Sequence, residues 1–208
     1  MTVGKDRGAI ETALVVLAVL FLGGCGTTTV NLPYDTSAVA SQPSVAASNS
    51  VKWVSVSDGR KHASHWLGSI RGGFGNPLKT LNTEVPVKDV VGNAFTTALK
   101  ARGLLATIGG GYGMEVVVNQ FDSNQMVRRE AHIRLHVSMV EFASGQQIYA
   151  KDIRVNKVTG GMGSLFTFDT GIFAAVEALR EVANQVLQEA VDQVLDDPRF
   201  IESLMAGA

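Results

Sequence analysis

One side chain in this sequence stands in a setting that favours covalent modification: the single cysteine, Cys25. The ten residues 13–22 are all apolar, and two small residues, Gly23 and Gly24, follow before the cysteine. Two small residues let an extended backbone enter a membrane-embedded peptidase. A thiol is also the only side chain here that can form a thioether with a diacylglyceryl group. Cys25 is therefore the candidate site of covalent modification in this chain.

The length of the apolar run before Cys25 is typical of a signal peptide. A membrane-spanning helix needs about 20 apolar residues, whereas about 7–15 is usual for the core of a signal peptide. Together with that run, the segment Leu22-Gly23-Gly24-Cys25 resembles the lipobox of bacterial lipoproteins. The alternatives are an ordinary signal peptide or a buried N-terminal helix with an incidental cysteine.

The lipobox resemblance has several implications. Residues 1–24 would be a lipoprotein signal peptide, and Cys25 would become the first residue of the mature chain. Several acyl chains, palmitate among them, would anchor it stably, where a single chain is marginal. Gly26, rather than Asp, follows the cysteine. By the resemblance, this implies the outer membrane of a Gram-negative bacterium, with the protein facing the periplasm.

A second group of candidate residues lies between positions 59 and 86, where we expect a long glycine-rich loop. Aromatic and arginine side chains are favoured as interface anchors. The predicted interaction loop presents Arg60, His65, Trp66, Arg71 and Phe74. These side chains would contact an envelope protein or an acidic envelope glycan. The alternative is that Trp66, Leu67 and Ile70 merely pin the loop to the domain.

No residue pattern predicts catalysis, a cofactor or a metal. Cys25 is committed to the anchor, and the sequence has no GxSxG, HExxH, P-loop or CxxC motif. His132 and His136 would lie about 13 Å apart on one face of a strand, too far to share a metal. The glycines at 109–113 and 160–163 indicate turns, with a weak anion site near 164–170 as the alternative. We expect a protein that is not an enzyme.

Composition excludes further classes of function. The chain has 208 residues, 46% of them apolar, with 18 Lys and Arg against 19 Asp and Glu and a formal net charge of −1. A near-neutral chain lacks the basic footprint of a nucleic-acid-binding protein. One cysteine excludes an intrachain disulfide.

The chain is expected to have three regions. After the signal peptide, the lipidated Cys25 and a flexible tether extend to residue 50, and a single domain spans 51–208. Residues 26–50 are mostly Ser, Thr and Ala with one charge, Asp35. Such a composition does not bury a core.

Hydrophobic periodicity predicts the elements of the domain. Strands are expected over 51–56, 114–121, 129–142 and 148–158. Helices are expected from Val87 to a close at Arg102-Gly103, over 173–194 and over 199–205. The cleanest alternation, in 129–142, predicts a strand with one dry and one wet face. The order β-α-β-β-β-α, plus a short C-terminal helix, predicts a two-layer α+β domain. Its two main helices would cover one face of a mixed, mostly antiparallel sheet of about four strands.

With this layout, the chain resembles the YajG-like family of small bacterial outer-membrane lipoproteins. Besides the lipobox, the resemblance rests on Asp58-Gly59-Arg60, on Leu67-Gly68, and on a V-V-x-x-A-F-x-x-A-L pattern from Val90 to Leu99. It implies a periplasm-facing accessory protein of the cell envelope with no known reaction.

Two hypotheses of function remain open. One is an interaction or assembly module at the membrane, and the other is a lipid- or glycan-binding auxiliary lipoprotein of an envelope transport or assembly system. An acyl-chain-sized apolar pocket between sheet and helices would favour the second. A tightly packed core with an exposed patch would favour the first.

Overall fold

A computed structural model describes residues 26–37, 39, 49–72, 74–106, 108–160 and 171–206. The predicted signal peptide and Cys25 lie outside the described residues. The strands are β1 (Gly26–Val30), β2 (Val51–Asp58), β3 (Trp66–Arg71), β4 (Pro77–Thr83), β5 (Tyr112–Gln125), β6 (Arg129–Glu141) and β7 (Gln147–Thr159). The helices are α1 (Val87–Ala101), α2 (Gly171–Leu195) and α3 (Pro198–Ala206).

All seven strands form one mixed sheet in the order β1-β4-β3-β5-β6-β7, with β2 also paired to β5. The long strand β5 has two parallel neighbours on one edge: β2 along its first half, and β3 along its last residues. Strands β5, β6 and β7 form an antiparallel meander. The edge strand β1 runs parallel to β4.

Strand β6 has the predicted dry and wet faces. Its buried residues alternate over most of its length, and they are Ala131, Ile133, Leu135, Val137 and Met139. Helices α1 and α2 pack on the sheet, and the buried stripe of α2 includes Leu179, Ala183, Val186 and Ala190. The opposite faces of β6 and β7 carry polar side chains such as His132 and Arg154.

Helix α1 begins and ends where its sequence predicts. Pro86 precedes it, and the buried residues of its inner face include Val87, Phe95 and Leu99. Gly103 follows its C-cap with a φ of 69°, and its backbone N–H donates to the carbonyl of Lys100. A glycine adopts this left-handed conformation without the steric cost of a side chain.

The predicted sheet of about four strands is wrong, because the described residues form an α+β fold with seven strands and three helices. Two of the missed strands, β3 and β4, form a hairpin in the region predicted as a loop. Four consecutive residues of β3, from Leu67 to Ile70, are buried, so the strand has no alternating pattern. A strand that is buried on both faces loses the period of two on which its prediction depends.

The predicted flexible tether is also wrong for residues 26–37. The Thr-rich segment Gly26–Val30 forms β1, and Val30 and Leu32 are 5% and 4% exposed. Beyond it, Tyr34 forms hydrogen bonds to both α2 and the residue that follows α1. The sheet therefore begins at Gly26, one residue after the predicted lipidation site.

Candidate interaction surfaces

The five residues of the predicted interaction loop do not form one surface. Trp66 and Arg71 are the two ends of β3, which places them roughly 17 Å apart from the strand rise. Arg60 and His65 lie near the start of β3, whereas Phe74 lies in the turn between β3 and β4. The structure therefore divides the set into a group at the start of β3 (Arg60, His65 and Trp66) and a pair at the end of β3 (Arg71 and Phe74).

Arg60 connects three parts of the fold. Its side chain is 2% exposed and makes a bidentate pair with Asp58, with both N···O distances at 2.9 Å. Its guanidinium also donates to the carbonyls of Trp66, at 2.8 Å, and Phe121, at 3.2 Å. The Arg60 hydrogen bonds lower the pKa of the Asp58 carboxyl. This burial removes Arg60 from any exposed binding surface.

His65 and Trp66 are half-buried. The Nδ1 atom of His65 lies 3.0 Å from the carbonyl oxygen of Thr83 on β4. The ring of Trp66 stacks on His62, with the ring centroids 4.0 Å apart. The contact of His65 with β4, together with Leu67 at 0% and Ile70 at 6% exposed, supports the alternative in which this part of the segment is pinned to the domain.

Arg71 and Phe74 share one end of the sheet with the β5–β6 turn. The registers Arg71↔Pro77, Ile70↔Gln125 and Gln125↔Arg129 align the β3–β4 and β5–β6 turns at that end. A groove of about 560 Å³ between the turns is lined by Arg71, Asn124, Gln125, Met126, Val127, Arg128 and Glu130. We call this region, from the β3–β4 turn to the β5–β6 turn, the hairpin end.

The amino-terminal end of β1 also lies at the hairpin end. Gly26 is in register with Lys79, two residues after β4 begins at Pro77. Because β1 and β4 are parallel, the chain enters the sheet beside the β3–β4 turn. The predicted lipidation site is bonded to Gly26, so its attachment point is at this end.

The opposite end of the sheet, which we call the far end, carries an exposed aromatic pair. Trp53, at 38% exposed, and Phe142, at 43%, have ring centroids 6.0 Å apart. A Cβ at Gly113 would lie 2.4 Å from the Trp53 ring, so glycine is what lets the indole lie on β5. Lys52 Nζ is 6.0 Å from the Phe142 ring centroid, and Ile108, 87% exposed, lies in the α1–β5 connection.

Sequence reasoning missed a partly buried ionic cluster that joins Tyr34 to the C-terminal end of α1 and to α2. The Arg102 side chain, 2% exposed, lies 2.8 Å from Asp192 and 2.9 Å from Asp196. It also donates to Tyr34 Oη at 2.9 Å, and this hydroxyl donates to Asp192. Burial raises the pKa of the Tyr34 phenol to about 12. A basic last turn is all that the sequence shows of this cluster.

A second missed cluster surrounds Asp197, which the sequence shows only as a helix cap. Its carboxylate pairs with Lys151 at 2.8 Å and with Arg199 at 2.9 Å, and it accepts from Tyr149 Oη at 3.3 Å. Hydrogen bonds from Arg199 and Lys151 lower the pKa of Asp197 strongly. Burial in turn raises the pKa of Tyr149. The cluster ties β7 to the start of α3.

The strand histidines are on the open face of the sheet and pair separately. The Nδ1 atom of His132 lies 2.8 Å from Asn156 Oδ1, and that of His136 lies 2.8 Å from Asp152 Oδ1. Within the part of the chain that the structure describes, no three His, Cys, Asp or Glu side chains are grouped to hold a metal. The predicted absence of catalysis stays a prediction.

The outer face of α2 forms a broad polar groove of about 720 Å³. Carboxylates and amides dominate its lining, which comprises Asp35, Lys157, Arg180, Glu181, Asn184, Gln185, Gln188, Glu189, Asp192, Gln193 and Asp196. Such an open groove differs from the enclosed apolar pocket that an acyl chain needs. In the described ranges, no helix is long and apolar enough to cross a membrane.

Comparison with known proteins gives a family match. The family described as uncharacterized lipoprotein, Lipoprotein_16, matches residues 37–205. This match confirms the predicted relation to a small bacterial lipoprotein family, and membership of the YajG-like family stays a prediction. No curated protein matches the chain.

Three solved structures resemble the chain at low identity. Protein XCC0632 from Xanthomonas campestris aligns with a TM-score of 0.56 and 12% identity, over 88% of this chain and 99% of its own. The PelC dodecamer from Paraburkholderia phytofirmans has a TM-score of 0.43 and 12% identity, over 73% and 92%. A minor lipoprotein from Acinetobacter baumannii has a TM-score of 0.37 and 13% identity, over 65% and 91%. At such identities the likeness to XCC0632 shows the fold alone.

Proposed function

The chain belongs to the Lipoprotein_16 family of lipoproteins, and on that premise we propose that it is an accessory interaction module of the bacterial cell envelope. Acyl chains on Cys25 hold it in the outer membrane, where it faces the periplasm. It binds another envelope protein and catalyses no reaction.

The position of β1 supports the anchor. Lipidation at Cys25 needs an accessible thiol at the start of the mature chain, and Gly26 is the first residue of an edge strand. Two or more acyl chains give stable anchoring, because each buried methylene contributes about 0.8 kcal/mol. The domain is then held at the bilayer surface with no long linker.

The observation that carries the interaction role is the exposed Trp53–Phe142 pair at the far end. Strand β5 has 14 residues and reaches from one end of the sheet to the other. Its rise per residue places the pair roughly 40 Å from the hairpin end. Exposed aromatic side chains are enriched among the residues that dominate protein interfaces. The patch therefore points away from the anchored end, toward a partner in the periplasm.

A packed core favours this proposal over lipid binding. The side chains between sheet and helices include Phe95, Phe121, Leu135, Leu179 and Val186, each at most 1% exposed. An acyl chain bound in that layer would have to displace them. The large groove on α2 is open and lined by polar side chains, which does not suit an acyl chain.

The anchor and the patch are tested separately in intact cells. Cys25→Ala should move the protein from the membrane fraction to the soluble fraction, and unchanged membrane levels would refute the anchor. A photo-crosslinking amino acid at Phe142 should give a discrete protein adduct. The matched control carries the same amino acid at Arg154, which is exposed on the open face of the sheet. Equal labelling at the two positions would refute the patch.

A further inference from the structure

We propose that the hairpin end rests on the phospholipid surface, with Phe74 and the β5–β6 turn in the interfacial layer and Arg71 and Arg128 on headgroup phosphates. This inference rests on the proposed anchoring through Cys25. It adds a second, noncovalent contact that fixes the orientation of the whole domain on the membrane.

The first step is the geometry of the attachment point. Consecutive Cα atoms are 3.8 Å apart, so an acyl chain on Cys25 starts one residue from Gly26. Gly26 is in register with Lys79, and the two residues of β4 that precede Lys79 reach about 7 Å further toward the turn. The β3–β4 turn therefore projects past the start of β1, in the direction from which the anchored chain enters the sheet.

The second step is the apolar surface at this end. Phe74 has an exposure of 102%, the highest of the large apolar side chains exposed in the described residues. Met126 and Val127, at 48% and 42%, lie in the neighbouring turn, and Val158, at 51%, is in register with Glu130 on β6. Apolar side chains that are costly to expose to water are the ones that enter a bilayer interface.

The third step is charge. Arg71 and Arg128 line the same groove between the two turns, together with one acidic side chain, Glu130. Arg129 follows Arg128, so the hairpin end is basic although the whole chain has a formal net charge of −1. Guanidinium groups bind phosphate through paired N–H donors, and basic residues at a membrane surface are attracted to anionic lipid. Apolar turns with flanking arginines match a phospholipid surface.

The test uses the mature lipidated protein reconstituted in vesicles that contain headgroup-labelled nitroxide lipid. In this protein the thioether blocks the sulfur of Cys25, and the sequence has no other cysteine that could react with a label. A fluorophore can therefore be attached to Phe74→Cys alone or to Val127→Cys alone. The matched control is Ile108→Cys, which is 87% exposed near the far end.

We expect the nitroxide to quench the labels at positions 74 and 127 at least threefold more than the label at position 108. Adding Arg71→Gln and Arg128→Gln should reduce quenching at position 74 in vesicles with phosphatidylglycerol. Equal quenching at positions 74 and 108 would overturn the proposal. Protection of position 74 in cells but not in vesicles that contain the lipidated protein alone would also overturn it, because a protein partner would then cover the turn.

Flotation of the same vesicles separates this inference from the function on which it rests. If the lipidated protein floats with vesicles and position 74 is not quenched, the anchor stands and the orientation is wrong. If the protein does not float, both the anchor and the inference are wrong.

Discussion

Replacing Arg60 tests whether this side chain binds a partner or holds the domain together. Arg60→Met keeps most of the apolar stem and removes the guanidinium, leaving Asp58, at 18% side-chain exposure, without its bidentate partner. The carbonyls of Ser64, Trp66 and Phe121 lose their donor as well. The variant therefore tests the contacts that join β2, β3 and β5.

The magnitude follows from burial. Removing one member of a buried, hydrogen-bonded ion pair costs about 3–5 kcal/mol. Since water reaches part of the Asp58 carboxylate, we expect a loss near the lower end, about 3 kcal/mol in the free energy of unfolding. For a domain of this size that corresponds to a fall in Tm of about 6–12 °C.

The assay is urea and thermal unfolding of the mature chain carrying Cys25→Ala, followed by circular dichroism. Arg71→Met is the matched control, because Arg71 is exposed and makes one long hydrogen bond, 3.3 Å, to the carbonyl of Gly75. We expect the control to change stability by less than about 0.5 kcal/mol. If Arg60→Met is no more destabilising than Arg71→Met, the structural role of Arg60 is refuted.

The dependence on pH gives a second signature of the same pair. Because Arg60 lowers the pKa of folded Asp58, the pair stabilises the protein fully above the ordinary carboxyl pKa of about 3.9. This contribution is lost as pH falls below that value through the lowered pKa. The difference between wild type and Arg60→Met should therefore shrink below about pH 4. A difference that stays constant down to pH 2 would contradict the pairing.

Three further predictions concern other contacts of the same background chain. Tyr34→Phe should cost about 1 kcal/mol, and its effect should be non-additive with that of Arg102→Met by at least about 0.5 kcal/mol in urea unfolding. Additivity would show that the two side chains do not interact. Gly68→Ala should destabilise by about 3 kcal/mol or more, since its Cβ would lie 1.6 Å from the Ser123 carbonyl oxygen. The control Gly26→Ala, with no atom within 4 Å of the new Cβ, should be nearly neutral. Asp197→Asn should make the loss of stability below about pH 4 smaller than in wild type, because the lowered pKa of folded Asp197 contributes to that loss. Identical pH profiles would contradict this.

Local patterns predicted the parts of the fold whose signals are local. The alternation in 129–142 predicts the dry and wet faces of β6, because successive side chains point in turn to the helix-covered side and to the open side of the sheet. The helix over 87–101 has an apolar stripe and a C-terminal glycine, and both are properties of its own sequence. These elements are therefore visible without knowledge of their partners.

Elements that depend on distant partners were missed. Strand β3 has four consecutive buried residues, Leu67 to Ile70, so burial on both faces hides it from a period-two pattern. The Thr-rich strand β1 exists because β4 supplies its hydrogen-bond partners more than 50 residues later. The same holds for the candidate site: Arg60 looked like an exposed cation because Asp58, Trp66 and Phe121 enclose it only in the folded chain.

Intact-mass spectrometry of the protein purified from membranes tests the central claim, a lipid anchor on Cys25 at the start of the sheet, most directly. We expect a mature chain that begins at Cys25 and carries the added mass of a diacylglyceryl group and further acyl chains, with no thiol available for alkylation. An unmodified, alkylatable Cys25, or a mature chain that begins at another residue, would contradict the account.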